Sequence, residues 1–395
     1  MTFENTLAFA RAQDAADELN WMRTEYLFPE TGTLYFAGHS LGLPPRKARQ
    51  YVLEEMDEWN RLGVEGHFAS RNPWVRYHEF LTGPTARVVG ARESEVVVAN
   101  SLTVNLHLLL VSFYRPTPQR KYLLIEKGAF PSDQYATASQ ARFHGFPDAV
   151  LESDDPLKVL EERGHEIALA LIGTPNYLTG RTYPVAPLVK LAHSKGALIG
   201  FDLAHGIGNL EFALHDDGPD FACWCSYKYL NSGPGGPGGI FVHQRHDGAK
   251  LPRFEGWWGH DKVRRFEMAR DFSPNQGAEA WQLSNPSVLQ MAALRASMEL
   301  FDKAGMKALA RKRDKLTGFL DFILREQKFE IRTPPEHRGA MISLKASKSL
   351  VDTLHKRGVI VDFRPPDIVR ITPIPSYSSF EDVFMLGEEL RKERG

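Results

Sequence analysis

Short, nearly continuous apolar runs alternate with helical patterns through the middle of the chain, and this alternation constrains the fold most strongly. The runs are β-branched and apolar on successive positions, which is typical of strands buried on both faces of a sheet. The predicted strands are Glu95–Asn100, Lys121–Glu126, Leu169–Gly173, Ala197–Asp202, Phe221–Ser226 and Gly239–His243. The predicted helices between them are 103–114, 133–144, 155–162 and 186–194. This order predicts an α/β fold with a mostly parallel central sheet.

The pattern changes toward the C-terminus, which indicates a second, smaller α+β domain. A long helical region from Pro286 to about Arg325 is interrupted near Ala304-Gly305. Predicted strands 341–345, 359–363 and 368–371 then alternate with predicted helices 348–357 and 380–392. We therefore predict a large cofactor domain at 46–300, and a small domain formed by 1–45 together with 301–395.

Charge and cysteine usage exclude several classes of protein. The net charge of −1 over 395 residues offers no global field for nucleic acid or an anionic membrane. No apolar stretch approaches the length of a membrane span, and no secretory leader is expected at Met1-Thr2-Phe3. The cysteines, Cys223 and Cys225, are expected on opposite faces of one strand and unable to pair. These features predict a cytoplasmic protein from a reducing compartment.

One lysine stands in a setting suited to covalent chemistry. Lys228 follows the apolar strand Phe221–Ser226, lies between two tyrosines and precedes the glycine-rich run Gly233 to Gly239. A desolvated lysine loses its proton easily and becomes an amine that can form a Schiff base. Asp202 ends the preceding predicted strand, where α/β proteins bind ligands. Pyridoxal phosphate (PLP) enzymes need such a lysine and a carboxylate for the pyridine nitrogen.

Each of these motifs also has a plainer interpretation. Asp202 alone would satisfy neighbouring loop amides, and His205 would be a hydrogen-bonded core histidine. The glycine-rich run lacks a dinucleotide-binding spacing, so it is expected to pack tightly beneath the lysine loop, with a flexible surface turn as the alternative. The co-occurrence of Asp202 and Lys228 favours function.

Two strand-to-helix turns offer further cofactor contacts. The turn at Ser101-Leu102-Thr103 begins a helix whose free N–H groups suit a phosphate, although Ser101 or Thr103 would equally be a simple cap. Phe130 leaves a strand end where an aromatic ring can stack on a planar cofactor, but it would otherwise be core. Asp133 would otherwise be the N-cap of the next helix.

A single arginine, Arg370, lies in the apolar strand Ile368-Val369-Arg370-Ile371. An inward arginine there requires an anion, and a substrate carboxylate would supply it. An outward arginine on an edge strand is the alternative, and the local sequence does not choose between them.

In order along the chain, these motifs resemble those of the kynureninase family, PLP enzymes of the aspartate aminotransferase fold (fold type I). The resemblance spans nearly the whole chain. Its matching stretches are Gly38-His39-Ser40-Leu41-Gly42-Leu43, 102–109, Ala129-Phe130-Pro131-Ser132-Asp133, Phe201-Asp202-Leu203-Ala204-His205, 220–231, Gly256-Trp257-Trp258-Gly259-His260 and Ser284-Asn285-Pro286.

The resemblance implies a role for each matching residue. Lys228 corresponds to the Schiff-base lysine, Asp202 to the partner of the pyridine nitrogen, and Tyr227 to a residue that adds a hydroxyl to the phosphate and is a candidate proton donor. The implied cofactor contacts are Leu102, Thr103, Phe130, Ser132, Asp133, Thr174, Asp202, His205, Tyr227, Lys228, Trp257 and Asn285. The implied substrate contacts are Arg370, His67, Ser40 and Asn285, and no metal site is expected.

The activity implied is hydrolytic Cβ–Cγ cleavage of L-kynurenine, or its 3-hydroxy form, to anthranilate (or 3-hydroxyanthranilate) and L-alanine. Such an enzyme belongs to tryptophan breakdown, the kynurenine pathway, or NAD biosynthesis. Trp257 and Asn285 match residues that reach the site from a second subunit, so a homodimer is implied. The chain departs from the family at His39, where asparagine is usual, at Trp258, where phenylalanine is common, and within Gly235–Gly239.

Other functions remain open at this point. A PLP aminotransferase would use the same lysine and aspartate. A cysteine desulfurase or selenocysteine lyase would need a reactive cysteine on a mobile loop, whereas both cysteines here precede Lys228 on a predicted strand. A non-catalytic PLP-binding module usually carries an added effector or DNA-binding region, and no such segment is visible.

Overall fold

A computed structural model describes residues 2–30 and 32–393. Within those ranges the strands are β1 (Leu34–Tyr35), β2 (Val96–Val98), β3 (Tyr122–Glu126), β4 (Val150–Ser153), β5 (Ile167–Gly173), β6 (Leu198–Asp202), β7 (Phe221–Cys225), β8 (Gly238–Val242), β9 (Ile342–Lys345), β10 (Val359–Ile360), β11 (Asp362–Arg364) and β12 (Ile368–Ile371). The α-helices are α1 (Leu7–Ala15), α2 (Arg46–Leu62), α3 (Gly66–Ala69), α4 (Glu79–Val89), α5 (Leu102–Phe113), α6 (Pro131–Phe143), α7 (Pro156–Arg163), α8 (Val185–Ser194), α9 (Leu214–Asp217), α10 (Val288–Ala304), α11 (Met306–Glu326), α12 (Lys348–Lys356) and α13 (Phe380–Arg391).

The central sheet of the described chain has seven strands in the order β2-β8-β7-β6-β5-β3-β4. Strands β7, β6, β5, β3 and β4 are parallel to one another, while β8 runs antiparallel to both β7 and β2. The predicted α/β fold with a mostly parallel sheet is therefore confirmed. The six predicted strands are all present, and β4 was missed.

Both faces of this sheet are buried, which explains the continuous apolar runs. Along β5, Ala170 and Ile172 point into one hydrophobic cluster, whereas Leu169 and Leu171 point into the cluster on the other face. Since successive strand residues alternate between faces, every position must be apolar.

The same periodicity corrects the expectation for the cysteines. Cys223 and Cys225 are two residues apart on β7, so they share a face, and both thiols are free and buried.

The C-terminal part forms a three-stranded antiparallel sheet, β11-β12-β9, with its own hydrophobic cluster. The predicted strand 359–363 is wrong as a single element, because its residues divide between β10, which pairs with β1, and β11, which pairs with β12. Ala10 of α1 and Phe36 after β1 belong to this same cluster. The domain division at 46–300 stays a prediction, which this shared packing of N- and C-terminal segments supports.

The carboxyl ends of the parallel strands form the edge that positions the candidate site. Gly173 at the end of β5 pairs in register with Asp202 at the end of β6, and Asp202 pairs with Cys223 of β7. Helices α5 and α6 begin close to this edge. None of the helices within the described ranges has the length and apolar character needed to cross a bilayer.

Candidate active site

A cavity of about 180 Å³ lies at this edge of the sheet. It brings together most of the residues predicted from the sequence. Its predicted members are Leu102, Thr103, Phe130, Ser132, Asp133, Asp202, His205, Tyr227 and Lys228. The other residues that line it are Ser101, Glu126, Pro175, Tyr177, Ala204, Gly235 and Gly236.

Lys228 lies in the turn that follows β7, with 9% of the residue exposed. Its ammonium nitrogen is 5.7 Å from the centre of the Phe130 ring, and no described residue forms an ion pair or hydrogen bond with it. The backbone around it is fixed by Gly42, whose N–H donates to Tyr227 O at 2.8 Å. A Cβ at Gly42 would lie 2.3 Å from Lys228 O, so only glycine permits this approach. The lysine is therefore buried, held by its backbone and free at its amine.

Three buried carboxyl groups line the cavity together with the lysine. Asp202 accepts a hydrogen bond from Ala204 N–H at 2.7 Å, so the loop-amide interpretation is partly correct. Its carboxyl also contacts that of Asp133. Burial raises the pKa of Asp133 well above its usual value, and the charges of Asp202 and Glu126 raise it further. Burial likewise raises the pKa of Glu126 to about 8. Desolvation thus favours protons on Asp133 and Glu126, and it also raises the pKa of Asp202, where the Lys228 charge and the Ala204 N–H oppose the rise.

The turn before α5 presents unused backbone donors. Ser101 occupies the N-cap position but its side chain makes no capping hydrogen bond, so the simple cap interpretation is wrong. The first N–H groups of α5, at Leu102 and Thr103, therefore carry no side-chain cap. A Cβ at Gly238 would lie 3.1 Å from Leu102 N, so this glycine lets β8 approach the turn closely. The geometry is that of an anion site at a helix N-terminus.

Helix α6 presents an aromatic ring and an acid to the same cavity. Phe130, not Asp133, occupies the N-cap position, so the capping interpretation of Asp133 is wrong. Asp133 lies in the first turn instead, where its Oδ1 is buried without a hydrogen-bond partner. Phe130 is 38% exposed, and its edge-to-face contact with Tyr177, at 5.0 Å between ring centres, orients the ring at the cavity wall.

His205 and Thr174 flank the end of β6. His205 is buried and its Nδ1 has no partner in the described chain, so it is not the hydrogen-bonded core histidine of the plainer interpretation. Burial lowers the pKa of His205 well below its usual value, which keeps the ring neutral. The hydroxyl of Thr174 is already engaged, accepting from Tyr183 N–H at 2.9 Å. Thr174 therefore borders the cavity through its backbone neighbour Pro175 rather than through a free hydroxyl.

Arg370 is 1% exposed and lies on β12, the middle strand of the small sheet, so the outward edge-strand alternative is wrong. Its Nη1 donates to Tyr177 O at 2.8 Å, and its Nη2 donates to Ser40 Oγ at 3.2 Å and to Asp362. The predicted substrate contacts Arg370 and Ser40 are therefore joined, and Tyr177 connects them to the wall of the cavity.

Besides Thr174, Ser40 and Arg370, three predicted residues do not line this cavity. His67 and Asn285 line a separate cavity of about 170 Å³, together with aromatic and aliphatic side chains such as Trp59 and Leu289. Trp257 is 41% exposed, and its indole N–H donates to Arg265 O at 3.1 Å.

Sequence reasoning missed several residues of the site. Glu126 is the last residue of β3. A charged residue at the end of an apolar strand could have indicated a site residue from the sequence. Tyr177 lies in an irregular loop, where periodicity carries no information. Asp362 became visible only through the pairing of β11 with β12, which sets Asp362 opposite Arg370.

Solved structures with low sequence identity share this fold. The cysteine desulfurase CsdA from Escherichia coli superposes with a TM-score of 0.78 at 15% identity, covering 95% of this chain and 98% of that structure. The cystine C-S lyase C-DES, in complex with cysteine persulfide, gives 0.77 at 15% identity, covering 91% and 97%. In a further C-DES structure, at 0.77 and 14% identity, glycine is covalently linked to the PLP cofactor, with coverages of 91% and 96%. The likeness confirms the predicted fold, that of PLP enzymes of fold type I.

Sequence relatives are much closer and carry one name. The kynureninase of Myxococcus xanthus (strain DK1622) is 54% identical over 408 aligned positions, covering 97% of this chain and 96% of the relative. The kynureninase of Koribacter versatilis (strain Ellin345) is 49% identical over the same length and coverage. That of Flavobacterium psychrophilum (strain ATCC 49511 / DSM 21280 / CIP 103535 / JIP02/86) is 46% identical and covers 99% of both chains. A family model described as the kynureninase C-terminal domain matches residues 309–390. With identities of this size over almost the entire length, and with its motifs gathered in one cavity, the chain belongs to the kynureninase family.

Proposed function

We propose that this chain is a PLP-dependent hydrolase that cleaves the Cβ–Cγ bond of L-kynurenine, releasing anthranilate and L-alanine. The observation that carries the proposal is the position of Lys228, whose free, buried amine faces Asp202 across a cavity that begins at an uncapped helix N-terminus. A 3-hydroxylated substrate would release 3-hydroxyanthranilate by the same chemistry.

The residues present fit PLP by their chemistry. The uncapped N–H groups of α5 at Leu102 and Thr103 suit the phosphate, with the Tyr227 hydroxyl as a further donor. Phe130 offers a ring at the cavity wall, and Asp202 offers a carboxylate for a pyridine nitrogen. Polar atoms without partners in the described chain, Asp133 Oδ1 and His205 Nδ1, are available for the cofactor. When bound, PLP supplies an electron sink for negative charge that develops on the substrate.

The chain's own residues would supply the binding and proton-transfer groups of the reaction. With PLP bound, Asp202 would hold a proton on the ring nitrogen, Lys228 would bind the cofactor and remove the substrate's Cα proton, and Arg370 would bind the substrate's α-carboxylate. Tyr227 is the donor that protonates Cβ. Burial raises the pKa of its phenol, so the hydroxyl keeps its proton at neutral pH.

A homodimer completes the site in this proposal. His67 and Asn285 line a second cavity away from Lys228, and Trp257 is exposed on the surface. These three residues match family residues of the active site, and a second copy of the chain would bring them to it. Exposed apolar side chains close by, including Trp59, Val64 and Phe68, supply the surface that such an interface would cover.

A desulfurase function is not favoured, although the structural neighbours include desulfurases. Burial raises the pKa of Cys223 well above its usual value and also raises that of Cys225. A buried thiol that keeps its proton is a poor nucleophile.

The two free thiols also support a cytoplasmic location, where disulfides are rare.

Turnover of L-kynurenine by the purified, PLP-loaded protein tests the proposal. We expect anthranilate fluorescence to rise while L-alanine appears in equal amount. Transamination would release no anthranilate, and a protein that binds PLP without acting on kynurenine, whether a silent binder or another PLP enzyme, would contradict the proposal.

A further inference from the structure

Arg370 already has a counter-ion before any substrate arrives. Asp362, opposite it on β11, accepts from Arg370 Nη2. Nη1 is occupied by Tyr177 O, whereas Nε is buried and has no partner among the described residues. A carboxylate that binds a guanidinium through two parallel hydrogen bonds needs two adjacent N–H groups. Nε and Nη2 form the remaining edge, where Asp362 and Ser40 Oγ both accept from Nη2.

Asp362 is itself held from several sides. Ser40 Oγ donates to it at 2.5 Å and Arg364 Nη2 donates to it at 3.0 Å, while His39 Nε2 lies 3.3 Å away. Burial alone would raise the pKa of Asp362, but His39, Arg370 and Ser40 together lower it well below its usual value. The carboxylate would therefore remain ionised and supported if Arg370 turned to another anion.

His39 connects this cluster to the core. Its Nδ1 lies 2.7 Å from Thr372 Oγ1, and burial lowers its pKa to about 3, so the ring is neutral. With Nδ1 accepting from Thr372, Nε2 carries the ring hydrogen and lies 3.3 Å from Asp362, although the contact does not meet hydrogen-bond geometry.

We propose that Asp362 is a displaceable positioning residue: it aligns Arg370 in the resting protein and yields Nη2 to the α-carboxylate of the substrate. The inference rests on the proposed role of Arg370 in substrate binding. Ser40, Arg364 and His39 retain the displaced Asp362 side chain. An amine without a carboxylate cannot make the exchange, so the ion pair selects amino acids over simple amines.

The test measures ligand binding to the PLP-loaded protein through its visible absorbance. L-Alanine and ethylamine are the probes, since ethylamine is L-alanine without the carboxylate. Asp362→Asn removes the competing charge at nearly constant shape, so L-alanine is expected to bind about tenfold more tightly, with ethylamine unchanged. The turnover number for kynurenine is expected to fall, because Arg370 is no longer aligned before binding.

Asp367→Asn is the matched control. Asp367 lies in the turn of the same β11–β12 hairpin, and the partner of its carboxylate is Lys345 at 4.0 Å. The same chemical change there is expected to leave L-alanine affinity within about twofold of the unmodified protein, as for surface substitutions generally. If Asp367→Asn increased L-alanine affinity as much as Asp362→Asn does, the inference would be overturned, because the increase would reflect a general effect of removing a negative charge.

Unchanged or weaker L-alanine binding by Asp362→Asn would also overturn it. If Asp362→Asn fails to take up PLP, Arg364→Gln provides the test instead. This substitution removes one hydrogen-bond donor from Asp362, so Asp362 would hold Arg370 more firmly. L-Alanine would then bind severalfold more weakly. Unchanged or tighter binding there counts against the inference. Arg370→Lys separates the two claims, since unaffected L-alanine binding by this variant would refute the proposed role of Arg370 itself.

Discussion

The carboxyl groups of Asp133 and Asp202 are in contact in the cavity, although one residue lies in the first turn of α6 and the other ends β6. Two carboxylates so close in a buried site cannot both be ionised, so one must hold a proton. The pKa of Asp133 is raised by burial and by the charges of Asp202 and Glu126, which assigns the proton to Asp133. Burial raises the pKa of Asp202 as well, but the Lys228 charge, the Ala204 N–H and the contact with Asp133 oppose that rise, so Asp202 is the ionised partner.

This assignment predicts unequal effects of two chemically identical substitutions. Asp133→Asn resembles the protonated acid, so PLP affinity and turnover should stay within about tenfold of the unmodified protein. Asp202→Asn removes the charge that faces the cofactor, and turnover should fall by about 10²–10³-fold. Steady-state kinetics and PLP titration measure both. A larger loss of turnover from Asp133→Asn would show that the proton is on Asp202. Equal losses from the two substitutions would also contradict the assignment.

Glu126 should make stability depend on pH. Its pKa is raised by burial to about 8 from a usual 4.5, so the unfolded chain ionises first as pH rises. The stability contributed by the neutral acid is complete below about pH 4.5 and is lost as pH rises through about 8. Glu126→Gln should therefore gain stability relative to the unmodified protein across this window, by up to about 1.4 kcal/mol per pH unit.

Denaturant unfolding at several pH values measures this difference. Glu152→Gln is the matched control, because Glu152 is an exposed glutamate on the neighbouring strand β4. A stability difference for Glu126→Gln that does not change with pH would mean that Glu126 is ionised in the folded protein.

Arg370→Lys should impair substrate use much more than cofactor binding. Lysine keeps the positive charge beside Asp362 but loses the planar fork that holds a carboxylate, so kcat/KM should fall by about 10–100-fold. Arg370→Ala should impair substrate use further, because it removes the guanidinium altogether, while Asp362 keeps its contacts with Ser40 and Arg364. The PLP absorbance band is the control, and its loss in Arg370→Lys would indicate a structural rather than a substrate-binding role.

The proposed homodimer predicts rescue between two inactive variants. If Lys228 and Asn285 enter one site from different subunits, mixed dimers of Lys228→Ala and Asn285→Ala contain one intact site. Random exchange of subunits then restores about a quarter of the full activity. The double variant Lys228→Ala/Asn285→Ala, mixed with itself, should recover nothing. Failure of the mixture to recover activity, with exchange shown by mass spectrometry, would place both residues in the same subunit's site or outside it.

The parts of the fold that sequence predicted are those where burial dictates residue type. Strands β5, β6 and β7 are apolar at every position because both faces are covered, and they were recognised. Strand β4 lies at the edge of the sheet and is only partly buried, so Val150–Ser153 gave no such signal. Lys228 and Asp202 were predicted as site residues because a charged residue at or just after the end of a buried strand indicates a binding site.

Other contacts depend on how distant segments meet. The Asp362–Arg370 pair arises from strand register, and the Tyr177 contact from the path of a loop. His67, Trp257 and Asn285 were named through family resemblance alone, and a single chain does not bring them to the cavity.

Covalent attachment of the cofactor to Lys228 can be measured directly. The purified protein, loaded with PLP, is reduced with sodium borohydride, digested and mapped by mass spectrometry. We expect one stable pyridoxyl-phosphate adduct, on the peptide that contains Lys228, and none in Lys228→Ala. An adduct on another lysine, or a protein that takes up no PLP, would contradict it.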